Sequence, residues 1–259
     1  MDAVVLAGGI PGPEDPLYNY TQGQSKALVD IAGAPMVQWV LNALGRAISI
    51  DHVLVVGLDQ DCGLTCAKPS HFLSDQGHML DNIKAGLRHN NQRNPSANRV
   101  IVASSDIPTI TPEIVDWRVH KSLEHECDID YAVVDRKTME TRFPGANRSY
   151  IRLKDYELCG GDLNVIRVAL IEKEQLYRRL IAARKNALKQ CAMLGIDLLL
   201  LLLLGRLSLK DAEHRACERI GVKGRACLSP YAELAMDVDK PHQLELVRQD
   251  LTNRGTPIP

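Results

Sequence analysis

The segment from Ala3 to Lys26 constrains this chain more than any other. An apolar run, Ala3-Val4-Val5-Leu6-Ala7, breaks at Gly8-Gly9 and gives way to a polar loop that ends in Ser25-Lys26. Five consecutive apolar residues read as a strand buried on both faces. A glycine pair at its end lets backbone N–H groups approach a ligand with no Cβ in the way, and a nearby lysine can neutralise phosphate charge. The segment therefore points to a phosphate-handling turn, with a plain strand-to-loop connection as the alternative. Neither G-x-x-x-x-G-K-[ST] nor G-x-G-x-x-G is present, so the two commonest phosphate motifs do not apply.

Apolar runs and amphipathic stretches alternate along the first half of the chain. Strands are expected at 3–7, 53–57, 100–104 and 130–134, with a short one from Leu28 to Ile31. Helices are expected at 35–47, opened by Pro35, and at 79–90 and 112–124. Such alternation implies a Rossmann-like, mostly parallel α/β sheet flanked by helices. The polar stretches Asn90–Asn98 and Thr138–Ser149 read as loops. From Ile171 the pattern turns helical, with an amphipathic stretch from Glu172 to Lys189, a leucine run from Leu198 to Leu204 and a capped helix from Ser208 to Ile220. Residues 171–219 are accordingly expected to form a helical insertion, after which the sheet resumes near 223–227 and 234–238. At 259 residues, 45% of them hydrophobic, the chain reads as a single domain over 1–259.

The leucine run is bounded by Asp197 and Gly205-Arg206. It is far short of the roughly 20 apolar residues that a spanning helix needs, so no transmembrane segment is expected. It reads instead as a buried helix or a surface for homo-oligomer formation. A net charge of −1 argues against a nucleic-acid binder, which usually carries a basic excess. The 7 cysteines form no C-x-x-C pair, which fits reduced thiols in a cytoplasm. The first strand follows Met1-Asp2 directly, leaving no room for a signal peptide.

Two further stretches carry carboxylates. Val100-Ile-Val-Ala-Ser-Ser-Asp106-Ile-Pro108 is an apolar strand that delivers one aspartate at its end. Ligands of open α/β sheets collect outside the carboxyl ends of the strands, so Asp106 is expected to share a crevice with Gly8-Gly9 and to hold Mg²⁺ against substrate phosphates. The alternative, Asp106 capping the helix near Pro112, competes with Thr109 and Thr111, which lie closer to the helix start. Ala235-Met236-Asp237-Val238-Asp239-Lys240-Pro241 places two carboxylates at i and i+2, on one face of an extended segment. His120, Glu124 and His125 lie at helical spacing within a charged run and read as a solvated face.

Taken together, "VVLAGG", "KALVDIAGAPMVQWVLNAL", "SSDIP" and "DVDKPHQLELV" resemble the MobA-like nucleotidyltransferases, a group with a glycosyltransferase-A type fold. The resemblance implies nucleotide contacts from Leu6, Ala7, Gly8, Gly9 and Lys26. It also implies a metal-binding Asp106 within a D-x-P pattern and Asp239 as the second metal ligand, with Asp237 as the other choice. Ser74 to Leu87 is similar to the base- and ribose-contacting stretch of cytidylyltransferases, which implies nucleotide contacts from Gly77 and Asn82. Cys159 to Asn164 resembles the acceptor-lining segment of sugar-phosphate nucleotidyltransferases, which implies acceptor contacts from Gly161, Asp162 and Asn164, with Arg142, Arg148 and Lys154 as further phosphate partners. The chain departs from the family in one place: the loop from Ile10 to Gln24 is long and contains no basic residue, where members commonly carry an arginine.

The activity implied is Mg²⁺-dependent transfer of NMP from an NTP to a phosphorylated small-molecule acceptor, a sugar phosphate or molybdopterin for example, with release of pyrophosphate. Lys26 and Asp106 would be the catalytic residues. A glycosyltransferase using a nucleotide sugar is the first alternative, with Asp128-Ile129-Asp130 or Asp237-Val238-Asp239 as its D-x-D metal motif. The second is a non-catalytic nucleotide-binding protein.

Overall fold

The computed structural model describes residues 1–173, 176, 197, 201–202 and 204–254. Its elements in chain order are strand β1 (Asp2–Leu6), helix α1 (Tyr18–Thr21), a 3₁₀ turn (Lys26–Leu28), β2 (Asp30–Ile31), β3 (Ala34–Pro35), α2 (Met36–Arg46), β4 (His52–Val56) and β5 (Ser70–Leu73). They continue with α3 (Met79–Arg93), β6 (Arg99–Ser104), α4 (Pro112–Leu123), β7 (Ile129–Asp135), α5 (Arg136–Arg142), β8 (Ile151–Arg152), β9 (Glu157–Gly160) and β10 (Leu163–Arg167). The last are α6 (Leu209–Ile220), β11 (Gly224–Ser229), a 3₁₀ turn (Ala232–Ala235) and α7 (Pro241–Arg254).

The central sheet runs β5-β4-β1-β6-β10-β7-β9-β8, with β11 also paired to β7. β5, β4, β1 and β6 are mutually parallel, and β11 is parallel to β7, whereas β10 and β9 run antiparallel to their neighbours. This is the mostly parallel, helix-flanked sheet that the alternating pattern requires. Ala3 and Val5 point into a core shared with α2, α4 and α7, and Val4 points to the other face with Leu54, Val102 and Leu87 of α3. That division explains why β1 is apolar from Ala3 onward. Gly86 brings α3 close to the sheet, since a Cβ there would sit 2.6 Å from Cγ1 of Val4.

Several local expectations change in the structure. Lys26–Leu28 is a 3₁₀ turn capped by Ser25, so only Asp30–Ile31 of the anticipated 28–31 strand is extended. The 138–149 loop begins inside a helix, because Asp135 caps α5 by accepting from the Lys137 N–H at 2.9 Å. α3 continues to Arg93, which shortens the 90–98 loop. Residues 234–238 do not form a strand. Leu234 and Ala235 close a 3₁₀ turn, and the segment is tied to its surroundings by Asp162 N–H to Leu234 O at 2.8 Å and Val238 N–H to Asp106 O at 3.0 Å, while Leu234, Met236 and Val238 are fully buried. The 224–229 strand and the Ser208-capped helix are as read from the pattern. The 172–189 helix and most of the leucine run lie outside the described residues, so of the expected helical insertion over 171–219 the one α-helix described end to end is α6.

Two sites at opposite ends of β4 matter for stability. At its exit, Gly57 adopts φ +111°, and a Cβ on it would lie 2.1 Å from the Gly8 nitrogen. The exits of β1 and β4 thus cross with no room for a side chain. Gly57→Ala is expected to destabilise the protein by at least about 2 kcal/mol in urea denaturation, from strain and overlap together.

At the entrance of β4, His52 is buried and its Nε2 lies 2.7 Å from His71 Nδ1, with His89 of α3 beyond His71 at 5.6 Å between ring centroids. Burial, then the charge of Arg93 and the neighbouring His71, holds the His52 pKa down to about 4. The unfolded chain therefore binds this proton more readily than the native one. The stability that neutral His52 supports is complete above pH 6.5 and is lost as the pH falls through 4. His52→Gln is expected to flatten the fall of melting temperature over that interval relative to the parent.

Candidate active site

Because β1, β4 and β6 run parallel, their exits lie together at one end of the sheet, which is the end where such folds bind ligands. Ser105 N–H donates to Leu6 O at 3.0 Å and Ala7 N–H to Val56 O at 2.8 Å, so the three exits are held as one unit. The Ser25 hydroxyl donates to Ala7 O at 2.9 Å and accepts from the Ala27 N–H, which fixes the backbone of Lys26 beside the glycine pair.

Asp75 organises the turn, and sequence reasoning missed it. Its carboxylate accepts from Gly9 N–H at 3.2 Å, Gly77 N–H at 3.0 Å and the Asn82 amide at 2.8 Å. Asn82 in turn accepts from Gln76 N–H at 2.8 Å. The Asn82 bond, with the backbone N–H groups, holds the Asp75 carboxyl below the usual range. A Cβ on Gly8 would fall 2.6 Å from both the Asn82 amide nitrogen and an Asp75 oxygen. Gly8, Gly9, Gly77 and Asn82 are therefore brought together around one carboxylate. The only sequence signal for it was a polar run after the short, half-buried β5.

The carboxylates at the ends of β6 and before α7 converge on Lys26. Its Nζ lies 2.7 Å from Asp106 Oδ2 and 2.6 Å from Asp239 Oδ1. Ser104 Oγ donates to the other Asp106 oxygen at 2.5 Å. Asp106 does not cap α4; Thr111 does, accepting from Ile114 N–H. The Val238 N–H bond to Asp106 O explains how residues so distant in sequence meet. Burial opposes the Lys26 charge, but Asp106 and Asp239 outweigh it and hold the ammonium above its ordinary range. Asp239 is kept below the usual carboxylate range despite its burial, by a hydrogen bond from Asp237 and by Lys26.

Behind this group sit Asp237, ion-paired to Arg148, and Asp162. Burial, followed by repulsion from Asp106 and Asp237, pushes Asp162 up to about 8. Burial raises Asp237 to about 7 against the pull of Arg148. Four carboxylates thus face two side-chain cations, and burial lifts Asp162 and Asp237 well above the usual carboxylate range. Asp162 reaches the group because the chain bulges: three steps along β7, Asp130 to Val133, oppose five along β10 and β9, Val165 to Gly160. Asn164 fills the bulge, accepting from Ala132 N–H at 2.8 Å and donating to Gly161 O at 3.0 Å. Both ends of its amide are engaged by backbone. Tyr131 flanks the same place, its hydroxyl 2.4 Å from where a Gly160 Cβ would lie.

Other candidates stand apart. Asp130 is fully buried and pairs with Arg118 at 2.8 Å, and Asp128 accepts from Lys223 N–H and pairs with Arg167, so the Asp128-Ile129-Asp130 motif is spent on structure. Arg142 is held by Glu233 and Asp250, and Lys154 lines a separate cleft with Arg136 and Glu140.

Among the described residues no group of three or more His, Cys, Asp or Glu side chains is disposed to hold a metal ion by itself. Mg²⁺ does not need such a cage; it binds through one or two carboxylates, with phosphate oxygens and water completing an octahedron. Asp106 and Asp239, oxygen donors that already share one cation in an acid-rich group, fit that requirement.

No functionally curated protein matches the sequence. Among solved structures, a hypothetical transferase from Thermus thermophilus is 38% identical, with TM-score 0.82 over 94% of this chain and 98% of that one. A CMP:2-keto-3-deoxy-manno-octonic acid synthetase complexed with CTP is 15% identical, with TM-score 0.58 over 98% and 100% of the two chains. A 2-C-methyl-D-erythritol 4-phosphate cytidylyltransferase, also from Thermus thermophilus, is 13% identical, with TM-score 0.55 over 96% and 98%. These last two share the fold. The family model for the MobA-like NTP transferase domain matches residues 3–192, and with the glycine turn, Lys26 and the paired aspartates in one crevice, the chain belongs to the MobA-like NTP transferase family.

Proposed function

We propose that this protein transfers NMP from an NTP to a phosphorylated small-molecule acceptor and releases pyrophosphate. The observation that carries the reading is the Lys26 ammonium shared between Asp106 and Asp239 beside the Gly8-Gly9 turn. The reaction is an in-line attack by an acceptor phosphate oxygen on the α-phosphorus of the nucleotide. Two anions must be held together without a covalent enzyme intermediate, so the protein contributes position and charge.

In this reading the backbone from Leu6 to Gly9 and the Lys26 ammonium receive the triphosphate. Gly77 and Asn82, fixed by Asp75, flank the nucleoside. Asp106 and Asp239 hold Mg²⁺, which when bound supplies positive charge to the phosphate oxygens. The loop from Ile10 to Gln24 lacks an arginine, and Arg148 offers further positive charge on the acceptor side. Gly161 is buried, with its N–H on Ala132 O and its C=O on the Asn164 amide, so its backbone is not offered to the acceptor; Asp162, pushed up to about 8 by burial, can in its protonated form donate a hydrogen bond there. Asn164 supports this wall from behind. Of the two D-x-D segments for the glycosyltransferase alternative, Asp128-Ile129-Asp130 is removed by the burial of Asp130 in its pair with Arg118, and Asp237-Val238-Asp239 remains at the site. A nucleotide-binding role without catalysis lacks any specific support in the geometry.

Asp106→Ala is expected to lower pyrophosphate release by at least about 100-fold with an unchanged circular dichroism spectrum, given what single electrostatic groups contribute to such reactions. The assay uses each NTP with a panel of sugar phosphates, and nucleotide sugars as the contrasting substrates. Undiminished turnover by the variant, or activity only on nucleotide sugars, would overturn the reading.

The crowded carboxylates make a separate expectation about pH. Asp162 binds its proton more tightly in the native state than in the unfolded one, where the ordinary value is 3.8. Its effect is therefore to lower stability progressively as the pH rises from 3.8 towards 8. Asp162→Asn, which cannot ionise, is expected to melt at a higher temperature than the parent at pH 8, and the gap should narrow at pH 5.

A further inference from the structure

Resting on the proposed function, we infer that Lys26 closes the cation site to free divalent metal and opens it only when a nucleotide arrives. Its Nζ lies between Asp106 Oδ2 and Asp239 Oδ1, at 2.7 Å and 2.6 Å, and so already neutralises the two carboxylates that would hold a divalent ion. The ammonium and a dication compete for them, being like charges with the same two partners.

The exchange needs no backbone movement. Ser25 anchors the 3₁₀ turn to Ala7 O, so the Lys26 backbone stays in place, while its side chain has a flexible four-carbon stem. Phosphates placed on the Gly8-Gly9 turn present a third anion within reach of that stem. Once the ammonium turns to them, the Asp106–Asp239 pair is left without its cation, and the site is free for Mg²⁺. The Ser104 hydroxyl stays on Asp106 Oδ1 and keeps that carboxylate aimed at the vacated position. Nucleotide and metal are thereby coupled through one side chain: each favours the arrangement that admits the other. Without nucleotide, the lysine also screens the mutual repulsion of the carboxylates, which otherwise would draw in any available cation.

The test is Mn²⁺ binding, read by electron paramagnetic resonance, to the whole protein and to Lys26→Met. Lys26→Gln serves as a second variant, and all three are measured with and without the α,β-methylene analogues of ATP, GTP, CTP and UTP. Without analogue, the parent is expected to bind Mn²⁺ at least about ten-fold more weakly than Lys26→Met, a factor within the usual range for coupling between sites. Adding Asp106→Asn to Lys26→Met should remove the gain, and one analogue should raise Mn²⁺ affinity in the parent. Equal affinity for free Mn²⁺ in the parent and both lysine variants would overturn the inference while leaving the proposed function standing, provided the analogue still recruits Mn²⁺. If no analogue recruits Mn²⁺ to the parent, the proposed function falls and this inference falls with it.

Discussion

The structure depends on a charge balance at the carboxyl end of its parallel strands. Asp106, Asp162, Asp237 and Asp239 come from three separate stretches of chain, and their mutual repulsion is met by Lys26 and Arg148. The balance is incomplete, as the raised values of Asp162 and Asp237 show. Proteins tolerate such buried, partly protonated acids where a ligand completes the set, at some expense in stability of the free form. The remaining architecture can be read as the frame that keeps this group assembled: parallel strands to align the exits, and a bulge to bring Asp162 inward.

How much of this was legible in the sequence varies with the physical signal. β1, β4 and β6 are runs of apolar residues because both faces are covered, and α2 and α4 carry their start signals in Pro35, Thr111 and Pro112. The same runs placed Gly8, Gly9 and Asp106 at one end of the sheet, since parallel strands must all leave from that end. Residues 234–238 mislead because their pattern suits a strand end, whereas the apolar side chains are buried where the segment crosses under the site with no ladder. Thr138–Ser149 misled in the opposite way, its charged composition concealing the Asp135 cap just upstream. Asp75 had no local signal beyond the polar run that contains it. Its role is created by backbone and side-chain donors that only tertiary structure assembles.

Asp130 shows how a motif can be filled by a different physical need. Acid-x-acid at the start of a strand matched a metal pattern, yet Asp130 is paired with Arg118, whose guanidinium also donates to Leu163 O and Asp130 O. Three hydrogen bonds through Nε and Nη2 hold the guanidinium while its Nη1 is buried without a partner, and removing Asp130 would leave an expensive charge behind. Here the pair ties α4 to β7 and β10, the strands on which the Asn164-filled bulge is built. It thereby supports the segment that carries Gly161 and Asp162 without contacting Asp162 itself.

The crossing of Gly57 over Gly8 has a consequence for the history and the engineering of such chains. Two loops more than forty positions apart meet backbone to backbone, so neither can be exchanged as an independent module. A recombinant that takes its opening segment from one relative and its β4 exit from another inherits a mismatch unless both parents left the same crossing bare. Homologous crossovers between those points are therefore constrained by a contact in which no side chain takes part.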